Sequence, residues 1–375
     1  MIKILLYVPD FSTALKRKDI LSAHIQLPAY LMNNLDQIYD TKILTSNLTE
    51  GSCLPELIDS KKVVFMDDGV KRRDKKNLNS TPKNNYNVLL ILKFLIKIIS
   101  YIKKNKILIF HSFGSTKILL LSYVIKCLLP KNIKIYHNID TDIISVNKFP
   151  YRLLFNSLDQ IITSSEYSFN KISLFTNKVN LIKHGITNEI QNEKMDKKRV
   201  LFWRDPTFEN GADIIENLFI GLSKKYNSIE FTIAVRPHQD NLFSRNKITA
   251  SNIEYLEYPY KNNISIEQLI NESICIVMPF RKLSTHPQMS IVESMYNGGC
   301  VITSSIESNY EIINHGLDGF LIDPKNYQEW YNLISEIIDN PDIGIKVSRS
   351  AVKSIRTKFN WDNTVNEYQK LYNLG

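Results

Sequence analysis

The sequence predicts an α/β protein built from two Rossmann-like domains, and three observations lead there. Short β-branched apolar runs alternate with longer helical patterns from one end to the other, as in parallel βα units. The alternation breaks once, at the polar stretch ITNEIQNEKMDKKR, and then restarts. The length of 375 residues exceeds what one hydrophobic core serves and fits two domains.

In the first half the strand candidates are 3–8, 41–46, 62–66, 106–111, 133–138, 160–165 and 180–184. After the break they are 200–204, 230–236, 253–258, 275–280 and 300–305. This places a first domain at 1–185, a linker at 186–199 and a second domain at 200–355. The segment 356–375 reads as a helix with Trp361, Val365, Tyr368 and Tyr372 on one face. That face needs an apolar surface, either on its own domain or, by crossing back, on the first.

Composition narrows the classes. Hydrophobic residues at 43% and charged residues at 23% are ordinary for a globular chain and exclude disordered, collagen-like and coiled-coil proteins. The start MIKILLYVPDF lacks the basic leader and small-residue cleavage site of a signal peptide and reads as a first strand. The apolar stretches 88–104 and 117–131 are punctuated by Lys93, Lys97 and Lys126 and fall short of the ~20 residues a membrane span needs. Cys53, Cys127, Cys275 and Cys300 show no CxxC pairing, which fits reduced, buried thiols in a cytoplasmic protein. No GxGxxG follows the first strand and no GxxxxGK[ST] occurs, so dinucleotide-oxidoreductase and P-loop readings lack the backbone device they need. Zinc-finger, RNP-like and helix-turn-helix patterns are missing too, and no nucleic-acid partner is expected.

Charge is uneven. Residues 1–185 carry 27 Lys and Arg against 14 Asp and Glu, while the remainder carries 20 against 24. The basic surplus includes VKRRDKKNLNSTPKN, with Lys71, Arg72, Arg73, Lys75 and Lys76, just before the lysine-punctuated helices. Lysines on such helices can snorkel at an anionic membrane surface while the apolar face sinks. A solvated loop over ordinary buried helices explains the same residues.

The richest stretch is CIVMPFRKLSTHPQMSIVESMYNGGCVITSS. A strand ends near Pro279, a loop carries Arg281, Lys282, Ser284, Thr285 and His286, and a helix begins near Met289 with Ser290 and Glu293 on its first turns. A helix starting at the carboxyl end of a parallel strand presents free N–H groups and a positive dipole to a diphosphate. A carboxylate one turn further in can accept both hydroxyls of a ribose. Glu293 as a plain surface residue is the competing reading. Asn297, Gly298 and Gly299 close the helix with a left-handed cap.

The run SIVESMYNGGCVITSS, followed by NHGLDGFLIDP, resembles the C-terminal signature of GT-B glycosyltransferases of the glycosyltransferase family 4 type. It supplies Glu293, Ser294, Met295, Gly298, Val301, Ile302, Gly316, Gly319, Leu321 and Pro324 of that pattern. The closing FNWDNTVNEYQKLY resembles the family's final helix, so the resemblance covers most of 200–372. It implies a GT-B fold with a cleft between two Rossmann-like domains, a nucleotide-sugar donor and Glu293 on the donor ribose. The first Glu of the family's Glu-x7-Glu motif is Thr285 here, so Thr285 and His286 would have to rebuild contacts to the donor sugar. His286-Pro287 ahead of Glu293 resembles rhamnosyltransferase-like members and hints at a dTDP-deoxysugar.

The resemblance also implies a basic clamp on the diphosphate after the first strand of the second domain. Arg204 is present, whereas Glu209 and Asn210 stand where a Lys is usual. Arg236, Arg281 or Lys282, at neighbouring strand ends, could supply the second charge. In the first domain His137, after IKIY, resembles the family's active-site His on the following loop, and His111 competes for the role. The loop Pro9-Asp10-Phe11-Ser12-Thr13 lacks the family's Gly-Gly pair.

Asp67-Asp68 and Asp140-x-Asp142 invite a metal-dependent, single-domain reading, which leaves 200–372 unexplained. The function so implied is retaining, metal-independent transfer of a hexosyl or deoxyhexosyl unit from a nucleotide sugar, with no cofactor. Its acceptor would be a glycan or lipid-linked carrier of a bacterial surface polysaccharide, and the enzyme would be cytoplasmic or peripheral at the inner face of the membrane. The alternative is a catalytically degenerate GT-B homologue that serves as a membrane-associated assembly partner.

Overall fold

The computed structural model describes residues 1–11, 13–14, 23–35, 37–48, 52–67, 88–139, 141, 151–186, 197–236, 241–243, 250–258, 260–261 and 264–373. Most of the expected linker 186–199, the basic run 71–76, Asp68, Asp140 and Asp142 lie outside them. The chain forms two compact units, Met1–Gly185 with Trp361–Gly375, and Ile186–Asn360.

The first unit runs β1 (Ile2–Tyr7), β2 (Thr13–Ala14), α1 (Ala23–Leu35), β3 (Tyr39–Thr45), β4 (Ser52–Cys53), β5 (Val63–Phe65), α2 (Val88–Asn105), β6 (Ile109–Phe113) and α3 (Thr116–Leu128). It continues with β7 (Lys134–Asn138), α4 (Tyr151–Ser157), β8 (Gln160–Thr163), α5 (Glu166–Ser173) and β9 (Val179–Leu181). Seven strands make a parallel sheet in the order β5-β3-β1-β6-β7-β8-β9, and β2 pairs antiparallel with β4. Strand β1 is apolar at every position from Ile4 to Tyr7 because both faces are covered. Leu5 and Tyr7 join the core over Phe94, Ile98 and Phe110, while Ile4 and Leu6 join the opposite core around Leu31 and Tyr136.

The second unit holds β10 (Arg199–Phe202), α6 (Ala212–Lys225), β11 (Glu230–Val235), β12 (Ile253–Glu257), α7 (Ile266–Asn271), β13 (Ser273–Met278), α8 (Met289–Tyr296) and β14 (Val301–Ser304). After these come α9 (Asn309–Ile312), β15 (Phe320–Ile322), α10 (Tyr327–Asp339) and α11 (Pro341–Lys358). Its parallel sheet has the order β12-β11-β10-β13-β14-β15. The same alternation recurs in β10, where Val200 and Phe202 face one core and Leu201 faces the other.

The last helix, α12 (Trp361–Asn373), belongs to the first unit. Its apolar face is the one the spacing of Trp361, Val365, Tyr368 and Tyr372 outlines, and it lies in the core around β1, β3 and β7. Trp361 stacks on Tyr30 with ring centroids 3.9 Å apart, a contact worth about 0.5–1.5 kcal/mol beyond area burial. A Cβ on Gly185 would stand 2.3 Å from the Trp361 ring, so only glycine permits this seat. The tyrosine hydroxyls find polar partners under the helix. Tyr368 donates to Asn138 Oδ1 at 2.6 Å and Tyr372 hydrogen-bonds His111 Nδ1 at 2.6 Å.

Replacing Tyr372 by Phe keeps the ring but leaves His111 Nδ1 buried without that partner. We expect a loss of about 1–3 kcal/mol in the stability of the first unit, seen as a lower urea midpoint. An unchanged midpoint would show that the bond contributes nothing.

Candidate functional site

The second sheet reverses strand order between β10 and β13, and in parallel sheets the crevice beyond the strand ends at such a point receives ligands. Two loops border it, one from β10 to α6 and one from β13 to α8. They are held together by backbone proximity. Gly211, the residue before α6, has φ 74°, and a Cβ there would lie 2.1 Å from the Pro279 carbonyl oxygen beyond β13. Both the left-handed backbone and the close approach demand glycine.

Side chains reinforce the junction. The Arg281 guanidinium makes a two-pronged salt bridge to Asp213, at 2.6 and 2.7 Å, and lies over the Phe208 ring at 3.9 Å. Its backbone N–H donates to Glu209 O at 2.8 Å. Trp203 Nε1 donates to Ser294 Oγ at 2.9 Å, and Ser294 in turn donates to Ser290 O at 2.8 Å, which ties the first loop to the inside of α8. At the other end of α8, Gly299 N bonds Ser294 O and Gly298 N bonds Met295 O, with Gly298 at φ 80°. This left-handed closure turns the chain straight into β14.

Helices α6 and α8 therefore both begin at the crevice, and no side-chain hydrogen bond caps either one. Their first-turn N–H groups and dipoles favour an anion there. Arg204 follows β10 at the same edge, partly buried and 5.9 Å from the Phe280 ring. Its Nε is buried with no hydrogen-bond partner among the described residues. Burial lowers the Arg204 pKa, with the neighbouring Asp205 and Glu293 charges opposing that shift and Arg236 adding to it. Arg236, exposed just past β11, thus adds a second positive charge near the first.

Glu293 sits on α8 beside these arginines. Burial raises its pKa to about 7, against the pull of Arg204 and Arg236 and with a smaller push from Glu267. A carboxylate of this kind is poised between acceptor and donor near neutral pH. The site gathers two guanidinium groups, two helix N-termini and one half-neutralised carboxylate. That set can hold a diphosphate and accept hydrogen bonds from a neighbouring diol.

The other expected donor contacts divide. Met289 and Ser290 form the first turn of α8, with Ser290 buried and accepting from Gln288 Nε2 at 3.1 Å. Thr285 Oγ1 donates to Gln288 Oε1 at 3.1 Å, just ahead of the helix. Lys282 is exposed, and its N–H lies 3.4 Å from Glu209 O. Arg281 is committed to Asp213, and its role here is to clamp the two loops. His286 is fully buried, 3.0 Å from Ser308 Oγ, so its ring belongs to the packing behind the loop.

In the first unit, β7 extends through Asn138, so His137 lies within the strand rather than on the loop beyond it. The ring is 0% exposed and bonds Ser112 Oγ at 2.8 Å. His111 likewise lies inside β6. Burial pushes both imidazoles down to about 3, with His137 adding to the shift on His111, so both are neutral at physiological pH. In the first loop, Phe11 N donates to Thr45 Oγ1 at 3.0 Å and Pro9 O accepts from Ser46 at 2.8 Å, while Ser12 lies outside the described residues. Among the described residues no cluster of three His, Cys, Asp or Glu side chains is arranged to hold a metal.

Comparison with known proteins decides the family of this unit. Residues 186–356 match the family model described as Glycosyl transferases group 1. The second unit is a group 1 glycosyltransferase domain. Among curated relatives, an uncharacterized glycosyltransferase of Methanocaldococcus jannaschii is 21% identical over 254 residues, covering 62% of this chain and 64% of the relative. An uncharacterized 41.2 kDa protein in the cps region of Klebsiella pneumoniae is 27% identical over 242 residues, covering 59% and 63%. The match thus spans just under two thirds of each relative's length.

Solved structures extend the likeness to both units and show the GT-B fold. A glycosyltransferase from Rickettsia africae superposes with a TM-score of 0.72 at 15% identity, over 99% of this chain and 97% of that one. HepE of Anabaena, solved with UDP and glucose, gives 0.71 at 14% identity over the full length of both. In this glycosyltransferase domain the Arg204, Arg236 and Glu293 arrangement occupies the strand-order reversal. Sequence reasoning had marked those three residues. It named Ser290 for the donor and Ser294 only as part of the motif, and it missed Trp203 and the brace these three form beneath the site, because a tryptophan after a strand carries no signal of its own.

The Glu293 pKa has a stability consequence. Folding raises it from the ordinary 4.5 to about 7, so the folded unit holds a proton that the unfolded chain has lost. The stabilising contribution is complete below pH 4.5 and disappears as pH rises through 7. We therefore expect Glu293→Gln to raise the melting temperature relative to the parent by more at pH 8 than at pH 5. A difference independent of pH would refute the buried-carboxyl account.

Proposed function

We propose that this chain is a retaining glycosyltransferase, moving a hexosyl or deoxyhexosyl unit from a nucleoside-diphosphate sugar to a glycan or lipid-linked acceptor of a bacterial surface polysaccharide. The observation that carries this reading is the orphaned Nε of Arg204 at a crevice flanked by two helix N-termini, with Arg236 and Glu293 beside it. A buried guanidinium N–H without an acceptor costs about 1–3 kcal/mol, and an incoming phosphate oxygen removes that cost.

In this reading Arg204, Arg236 and the start of α8 bind the diphosphate. They stabilise the charge that develops as the bond from the sugar's anomeric carbon to phosphate oxygen breaks. The acceptor hydroxyl oxygen forms the new bond to that carbon on the same face, and its proton passes to the departing phosphate. Guanidinium charge takes the part that a divalent cation plays in metal-dependent transferases. Glu293, once ionised, accepts the two ribose hydroxyls. His137 is enclosed by its own sheet, so the donor-side chemistry rests on Arg204 and Glu293.

The donor nucleotide is supported by the HepE structures with UDP, glucose and UDP-glucose, and by the pneumococcal O-GlcNAc transferase GtfA solved with UDP and GlcNAc. The resemblance of His286-Pro287 ahead of Glu293 to rhamnosyltransferase-like members, and not a contact from the buried His286 ring, supports a deoxysugar on that nucleotide. The polysaccharide setting is supported by the Klebsiella relative from a cps region. The basic run Lys71, Arg72, Arg73, Lys75 and Lys76 supports an anionic membrane surface as the place where the acceptor is met.

Calorimetric titration with UDP tests the site directly. Arg204→Ala is expected to weaken binding by about tenfold to a hundredfold, through the loss of one charge-assisted pair. Unaltered affinity in both Arg204→Ala and Glu293→Ala would sink the assignment, and tight UDP binding without turnover of any nucleotide sugar would make the chain a binding partner instead. The pH profile adds a second check. Affinity should rise as pH passes upward through 7 while Glu293 ionises, and Glu293→Gln should flatten that rise.

A further inference from the structure

Helix α2 of the first unit presents two opposite apolar faces. Phe94, Leu95, Ile98 and Ile102 are buried against the seven-stranded sheet. On the far side Leu89 is 60% exposed, Leu92 52% and Ile96 69%. At 3.6 residues per turn these three, at i, i+3 and i+7, form one line along the outer surface. Lys93, Lys97 and Lys104 are exposed along one flank of that line, and Lys103 is exposed at its end. The helix carries no acidic residue. Neighbouring α3 packs into the same core and exposes Leu120 and Leu128, at 50% and 53%, on its own outer side.

Single exposed leucines are ordinary on a soluble surface, but an aligned row on a helix already buried on its other side is not. A protein partner would leave the flanking ammonium groups in need of acidic counterparts. An anionic bilayer satisfies both features together, with acyl chains receiving the apolar row and lipid phosphates pairing with lysines that reach up along it. No helix of the described residues is long and apolar enough to cross a membrane, so this contact lies in the plane of the surface.

We propose that α2 is a membrane-docking helix, inserting Leu89, Leu92 and Ile96 among the lipids of an anionic monolayer while Lys93, Lys97 and Lys104 bind their phosphates. This deepens the reading of a membrane-borne acceptor and rests on it for its purpose. It requires only exposed residues of the first unit, whereas the donor site is built from residues of the second, so the two can be tested apart.

The experiment measures partitioning of the full chain onto vesicles of phosphatidylglycerol mixed with phosphatidylcholine, and onto phosphatidylcholine alone, with UDP affinity recorded for every variant. Binding should favour the anionic vesicles and weaken with salt. The triple change Lys93→Gln, Lys97→Gln, Lys104→Gln should reduce partitioning roughly a hundredfold, about fivefold per lysine. Leu89→Ser, Leu92→Ser and Ile96→Ser together should reduce it by about tenfold or more at any salt concentration. A Leu92→Trp reporter should shift its emission to the blue on vesicle addition, with UDP affinity unchanged throughout.

Serine variants that partition like the parent, a Leu92→Trp spectrum indifferent to vesicles, or equal binding to neutral lipid would each overturn the proposal. So would self-association that the serine changes abolish in a chain with no affinity for vesicles, since that assigns the face to a second copy. A parent that binds UDP but not vesicles removes the docking helix and leaves the donor site standing. A parent that binds vesicles but not UDP does the reverse.

Discussion

The second unit depends on how closely two loops approach at the reversal of strand order. The backbone at Gly211 passes so near the Pro279 carbonyl that a side chain has no room, and this brings the start of α6 against the end of β13. Both helices of the site then begin at one crevice. Arg281 and Asp213 lock the approach with a two-pronged ion pair, while Trp203 and Ser294 fasten α8 from below. This junction decides which groups of the two loops lose water together, while Arg236 adds its charge from the end of β11.

Desolvation then separates the charges. Glu293 is driven toward neutrality despite two arginines nearby, because its burial outweighs their attraction. Arg204 suffers the same loss of water and keeps an N–H without an acceptor among the described residues. Under the proposed function, a diphosphate and a ribose diol entering this site would remove that cost. The energy so released would then be available for transition-state stabilisation.

Much of the architecture could be read from the residues. Buried parallel strands announce themselves as continuous apolar runs, so KILLYV, CIVMPF and CVITSS all proved to be sheet. The face of the last helix was written in the spacing of Trp361, Tyr368 and Tyr372. Edges were less legible. The strand expected at 106–111 begins only at Ile109, because α2 runs to Asn105 and Lys106 takes a left-handed turn at φ 54°. That shift places His111 inside the sheet. His137 was read as lying past its strand for a related reason, since a histidine near the end of an apolar run looks the same on the last pleat as on the first loop residue. Short β15 was hidden inside a motif read for its glycines.

The hardest distinction for a sequence is which arginine serves the ligand and which serves the fold. Strand β10 and its flanks supply both kinds. Arg199, at the amino end, stands among Glu230, Glu254 and Glu272 at 2.8, 3.9 and 3.9 Å, and its charge is answered within the protein. Arg281 is answered by Asp213 in the same way. Arg204, five residues beyond Arg199 and at the carboxyl end, faces another arginine and a carboxylate that burial has half neutralised. Spacing alone does not rank these three, because each is an arginine at the end of a β-strand, and only the resemblance singled out Arg204. What separates them is the ion pairs that folding makes: Arg199 and Arg281 meet carboxylates directly, even though Arg199 Nη1 makes no hydrogen bond, whereas Arg204 makes no salt bridge among the described residues. Lying at a strand-order reversal, it is the guanidinium that the proposed diphosphate would answer.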